Sequence, residues 1–494
     1  MAALPPHPNT AVDVLRLPLV GRLLRWRWGR LAMQSLLLVL ALAMLYDGFT
    51  GPQQAARNLA TVGAWVHYRG LVVIALLLVG NLFCMGCPFT LPRTLGKRFS
   101  LPGRRFPRAL RSKWLAIASL FALFFVYEWL DLWASPALTA WVIVFYFVAS
   151  FALEALFQES AFCKYVCPLG TFNFLYATAA PTQIGVRDAS VCAACTGKEC
   201  VNGSYAPQTV IHIDTIPTLG GQPRDVSVTH APQGTPGCGT LLYPPQMASN
   251  LDCTLCLDCV RACPHDNASL FVRAPGRELA ADAWPRRWDV SFLAVALAFI
   301  AITNAFAMVP PMIDLQQGIG GALGLPLNAA TEPLILLLMF GLGNVLLPGA
   351  LLLGAAYASQ RAARTALRLR EVAAVFAPAF VPLGFGIWAA HYSFHFLVAP
   401  LSIVPVAQEF LGLRGDWQAF SGSVDMGVIG VVQALALLGG FGASLWIAQR
   451  RSQRTFGRRG FPAVLPWALL LLALMWAAFG IFALPMEMRG SLMG

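Results

Sequence analysis

Charge is scarce in this chain. Only 12% of its 494 residues are Asp, Glu, Lys or Arg, about half of what a soluble globular domain carries, which excludes a water-soluble globule of this length. Acidic residues are scarcer than basic ones, 23 against 35, and a net charge of +12 follows from that shortage. In so apolar a chain the excess belongs to basic loops beside a membrane, and no nucleic-acid partner is expected. Cysteine is sparse as well. Twelve cysteines in a chain of this length do not make a disulfide framework, and their clustering speaks for metal ligation in a reducing compartment. Also missing are a nucleophile–base constellation, a phosphate loop and a nicotinamide fingerprint. A stand-alone enzyme with its own nicotinamide site is not expected. No output domain of a redox sensor is recognisable.

What is present is long apolar sequence. Hydrophobic residues make up 57% of the chain and the mean hydropathy is +0.63. Nine runs are long enough to cross a bilayer: about 31–47, 65–83, 114–133, 137–158, 290–308, 334–357, 372–398, 428–448 and 463–485. With the amino terminus inside, 31 of the 35 Lys and Arg residues fall in cytoplasmic segments, and only Arg57, Arg69, Arg414 and Arg489 lie elsewhere. The positive-inside rule therefore orients the chain. The expected fold is an α-helical polytopic membrane protein of the bacterial inner membrane, its carboxyl terminus periplasmic. Four segments follow: a basic cytoplasmic tail (1–30, the first dozen residues disordered), a four-helix membrane module (31–184), a polar Gly-, Pro- and Cys-rich cytoplasmic insert (185–287) and a five-helix membrane module (288–494). The first helix runs on past a signal-peptide length to Asp47 and is read as uncleaved.

The insert carries Cys253, Cys256, Cys259 and Cys263-Pro264 at C-x2-C-x2-C-x3-C-P, the spacing by which bacterial ferredoxins hold 4Fe–4S clusters and share a fourth cysteine with a second cluster. Zinc motifs use two separated CxxC pairs or a Cys/His mixture instead. A second set stands at Cys192, Cys195 and Cys200, with Cys238 alone. By analogy with ligand exchange in two-cluster ferredoxins, Cys253, Cys256, Cys259 and Cys238 would hold one 4Fe–4S cluster, and Cys192, Cys195, Cys200 and Cys263 the other. The x4 gap before Cys200 leaves one intact cluster beside a decayed site as the alternative.

Two further pairs, Cys84/Cys87 and Cys163/Cys167, each close a membrane helix and precede a proline that breaks or kinks it there. Together they offer four thiolates for a third cluster or a metal ion, or two dithiols that cycle to disulfides. Membrane helices ending in Cys…Cys-Pro, followed by a two-cluster segment, resemble the NapH/NosR/CcoG group of polytopic membrane ferredoxins over about residues 30–275. Cys163/Cys167 match the C-x3-C-P of that group, while Cys84/Cys87 are one residue tighter. The resemblance implies membrane electron transfer, an oxidoreductase component serving redox partner proteins or quinone. Its alternative is a metalloenzyme assembly factor that reduces copper for delivery to a copper oxidase.

Beyond the region of resemblance lies His391-Tyr-Ser-Phe-His395. Residues four apart share a helix face, so both imidazoles can address one site, and His67 begins the second run near the same membrane level. These three are candidates to ligate haem b or copper. Glu154 is a candidate proton relay two turns before Cys163. Glu128 and Asp131 read as interfacial, and Asn81 as satisfying a helix neighbour. The basic loop Arg93–Lys113 reads as a topology determinant at the anionic leaflet.

Overall fold

The computed structural model describes residues 12–26, 28–91, 104–157, 159–204, 234–281, 284–285 and 287–486. The expected disordered tail, most of the basic loop and the middle of the insert lie outside the described residues.

All nine expected runs are helices: α1 (Gly29–Thr50), α2 (Leu59–Leu78), α3 (Trp114–Trp129), α4 (Pro136–Leu156), α5 (Trp288–Phe306), α6 (Glu332–Ala363), α7 (Leu369–Val398), α8 (Met426–Phe456) and α9 (Gly460–Phe482). Among the described residues, seven segments are long and apolar enough to cross a membrane. The last of these, Met426–Phe482, contains both α8 and α9, which a turn at Gly457–Arg459 separates. At 16 residues, α3 falls short of that length. Helices suit these runs because a helix satisfies every interior backbone N–H and C=O within itself, as an apolar surrounding requires. Large side chains such as Leu40, Phe145, Leu469 and Trp476 point outward. By contrast, the apolar stretches of α5 and α7 are each 83% buried, so these two form the centre of the bundle. Small residues permit that packing: a Cβ on Gly386 of α7 would lie 2.4 Å from the Ala436 carbonyl oxygen of α8.

The run expected to continue to residue 83 is interrupted. Helix α2 stops at Leu78, Gly80 takes φ +114°, and a short helix Leu82–Gly86 follows. A left-handed residue cannot continue a right-handed helix, and glycine adopts that conformation without a Cβ penalty.

The insert is tied down by a two-stranded antiparallel sheet. Strand β1 (Thr182–Val186) pairs with β2 (Ala268–Val272), Thr182 opposite Val272 and Val186 opposite Ala268. The amino-terminal segment joins this sheet and is no separate tail over its described length. Val272 N donates to the Val12 carbonyl at 2.9 Å, Asp13 pairs with Arg187, and Leu15 is buried. A helix at Pro18–Arg25 follows, and Arg30 at the start of α1 pairs with Asp258 of the insert. Further buried polar links run between insert and bundle. Lys113 pairs with Asp252 and donates to the Lys164 carbonyl. Arg451 of α8 donates to the Leu279 and Ala281 carbonyls. Arg273 pairs with Glu278 while donating to the Ala180 and Thr178 carbonyls. The bundle thus has a cysteine end, against the insert, and an opposite end where His391 and His395 lie.

Candidate functional site

Proline explains how the membrane-end cysteines are placed. Cys167 is the N-cap of the helix Pro168–Tyr176, with Pro168 in the first turn, and its Sγ accepts from Gly170 N at 3.2 Å. Proline lacks the N–H that a first turn leaves unused, and the helix N-terminus favours a thiolate. The expected break is therefore also a start: one helix ends at the cysteine and another begins at the proline. Cys87-Pro88 repeats this with a short 3-10 turn, Pro88–Thr90. Cys163 sits in a widened π turn, Phe162–Val166, a local geometry frequent at functional sites.

All four of these cysteines lie in one neighbourhood. Cys87 lies within electrostatic reach of Cys84 and Cys167, and Cys163 within reach of Cys84, Cys87 and Cys167. Asn173 donates to Cys84 Sγ at 3.5 Å. Glu154 is buried and faces Cys163.

The eight insert cysteines fall into two groups that cross the sequence order. Cys259 is within reach of Cys253, Cys256 and Cys238. Cys200 is within reach of Cys263, Cys192 and Cys195 first, and more weakly of Cys238. Asn267 bridges the exchange, its backbone N–H donating to Cys263 Sγ at 3.4 Å and its side chain to Cys192 Sγ at 3.1 Å. Cys238 N donates to the Cys200 carbonyl at 2.9 Å, so the two groups abut.

The loops around these thiols are conformationally unusual. Asp252, Leu255 and Leu257 take φ of 69°, 54° and 59°, and Lys198 takes 48° between Cys195 and Cys200. Left-handed residues interleaved with right-handed ones turn successive N–H groups inward, a concavity typical of anion and iron–sulfur sites. Here N–H groups do reach sulfur: Leu255 N to Cys253 and Leu242 N to Cys238, the latter at 3.3 Å. Burial pushes the Cys256 thiol up to about 11, and burial with its thiol neighbours pushes Cys200 to about 12. A thiol raised in this way is a poor nucleophile at neutral pH. Among the described residues no three His, Cys, Asp or Glu side chains converge as a single metal ion requires.

The cysteine groups also touch one another across the insert–bundle boundary. Asn81 serves its neighbour Cys84, as expected, and also donates to the Cys253 carbonyl at 3.0 Å; Cys253 lies within reach of Cys84. Arg30 stands between, within reach of both Cys256 and Cys163.

At the other end His391 and His395 are buried with their Nε2 atoms 3.3 Å apart. Their Nε2 atoms lie 2.9 and 3.2 Å from Met308 Sδ. His67 is not brought into this group: its ring nitrogens face the Val62 and Pro400 carbonyls, each at 3.2 Å. Glu128 is largely buried and accepts from Asn304 at 3.1 Å; Asp131 is exposed as expected. Arg69, singled out in the sequence only as a basic residue outside the cytoplasmic segments, is buried among Trp65, Tyr127 and Tyr392, and donates to the Tyr127 hydroxyl. Intramembrane placement of an arginine was the available signal.

Aromatic rings connect the two ends. Phe172, one turn beyond Cys167, has its centroid 5.4 Å from Trp388, which is 4.9 Å from Tyr392, itself 5.5 Å from His391. Comparison with family models, with curated proteins and with solved structures returned no match.

Proposed function

We propose that this chain is a membrane-bound electron-transfer protein of the NapH/NosR/CcoG type. It would relay electrons between a cytoplasmic or quinone donor and an acceptor in or across the membrane. The observation that carries the reading is the crossed grouping of the insert cysteines, Cys263 with Cys192/Cys195/Cys200 and Cys238 with Cys253/Cys256/Cys259. Such an exchange has no use in two independent zinc knuckles and is the habit of paired 4Fe–4S sites. Bound there, 4Fe–4S clusters supply one-electron redox chemistry.

The chain's own residues fix where that chemistry happens. Inward N–H groups and the Arg30 guanidinium favour negative charge on the thiolate groups. The Lys113–Asp252 pair and the Asn81 hydrogen bond hold the insert against Cys84, Cys87, Cys163 and Cys167. Burial of these contacts keeps water from the space between.

The test is chemical. Protein purified anaerobically in detergent is expected to contain about eight irons and as many acid-labile sulfides per chain, with EPR signals appearing on reduction. Zinc in place of iron, or about four irons per chain, would refute the two-cluster reading.

A further inference from the structure

We propose that Met308, His391 and His395 form a buried Cu(I) site at the end of the bundle opposite the cysteines. The proposal stands on side-chain geometry alone and is independent of the cluster reading. Three donor atoms face one another here: His391 Nε2 and His395 Nε2 at 3.3 Å, with Met308 Sδ 2.9 and 3.2 Å from them. All three residues are at most 6% exposed. The triangle is compact enough for one ion to touch every corner.

Donor chemistry selects the ion. A thioether is a soft ligand that favours Cu(I), and imidazole suits copper. Zinc would want a third imidazole, thiolate or carboxylate, and among the described residues no such trio converges. A haem ligated by both imidazoles is excluded by geometry. Its two axial ligands stand on opposite faces of a macrocycle, whereas these imidazoles lie one turn apart on one face of α7, nitrogen to nitrogen.

An approach from the surface is also built. A cleft of about 100 Å³ is lined by Glu128, Asp131, Met308, Met312, Gln316 and Glu332. Its carboxylates concentrate cations, Met312 offers a second thioether, and Met308 belongs to both cleft and triangle. The cleft opens at the far end of α5 from the insert. The 19 residues of that helix span about 28 Å, so copper entering here is far from the insert thiols.

The probe is Cu(I) itself, added anaerobically to the full-length protein as purified, in competition with a bathocuproine chelator. One Cu(I) per chain with mixed nitrogen and sulfur scattering in X-ray absorption is expected. Met308→Leu, which conserves volume, should weaken binding at least about 10-fold, as should His391→Gln, with iron content unchanged in both. Met308→His should restore copper but with nitrogen-only scattering. Wild-type copper held by sulfur alone, affinity indifferent to both Met308→Leu and His391→Gln, or a Soret band in the purified protein would each overturn the assignment.

Discussion

The two ends of this bundle place their chemistry by opposite means. At the cysteine end the donors sit on loops, caps and interrupted helices, with left-handed residues at Asp252, Leu255 and Leu257. Backbone N–H groups there supply much of the second layer of contacts. At the histidine end two donors stand on the regular stretch Phe380–Val398 of α7, and the third comes from Met308, beyond the end of α5. A loop site is written in local spacing, because the chain itself wraps the ligand. A site made between helices is written only in tertiary packing. The same contrast predicts which perturbations stay local and which spread.

The sharpest test of loop construction is that a cysteine should matter to the distant motif and not its own. Cys263→Ser is expected to give the same residual EPR spectrum as Cys192→Ser, and Cys238→Ala the same as Cys256→Ala. Each should cost about half the iron. If Cys263→Ser instead copied Cys256→Ala, the crossed grouping would be wrong and the insert would be two sequential sites.

A smaller effect is expected where the insert is pinned. Arg273 and Glu278 are buried side chains, 1% and 3% exposed, and Asn250 adds bonds to the Ala177 and Thr182 carbonyls at 2.8 and 2.7 Å. Removing one partner of a buried pair costs about 3–5 kcal/mol because the other charge is stranded, while replacing both is far milder. Arg273→Met should therefore lower the unfolding temperature of the insert strongly, and Arg273→Met with Glu278→Leu should recover most of it. Scanning calorimetry in detergent reads both. The histidine end should be untouched, and its copper affinity serves as the control.

Much of this asymmetry explains what could be read from sequence. The membrane helices were legible because each apolar run commits to helix without help from a partner. The insert cysteines could be singled out because ligand spacing is local. Met308 was not, since a methionine beyond an apolar run resembles any other core residue until α7 is placed beside it. Neither was the Asn81 bond to the Cys253 carbonyl, which joins residues 172 positions apart. The break at Gly80 was missed because apolar periodicity carries straight through it. Burial of Glu128 depends on Asn304, from a helix 176 positions away.

Tuning should be finer still. Arg30 lies within reach of Cys256 and Cys163 and pairs with Asp258. Removing its charge by Arg30→Gln disfavours the more negative, reduced state nearby. The potential of the Cys253/Cys256/Cys259/Cys238 group should fall by roughly tens of millivolts, the Asp258 carboxylate offsetting part of the lost charge. EPR-monitored titration measures it. An unchanged potential would mean that Arg30 only docks α1 on the insert.

The smallest expected effect again separates the two ends, this time by pH. Burial pushes the Asp13 carboxyl up, but Ser269, Arg187 and the Leu15 N–H outweigh it and hold it below the ordinary carboxylate range. A carboxylate depressed in the folded state contributes stability above its unfolded pKa, and that stability is lost as pH falls through the folded value. Asp13 remains partly solvated, so its share after screening is under about 1 kcal/mol. The contact it holds is nonetheless specific: Arg187 Nε at 2.8 Å and the edge of β2. Asp13→Asn at neutral pH should raise hydrogen exchange and tryptic cleavage over residues 13–25 without changing α5 or α7. Acid should do the same to the wild type and little further to the variant. If the variant kept wild-type protection at neutral pH, Leu15 burial and the Val12–Val272 bond alone would hold this segment, and the carboxylate would be incidental.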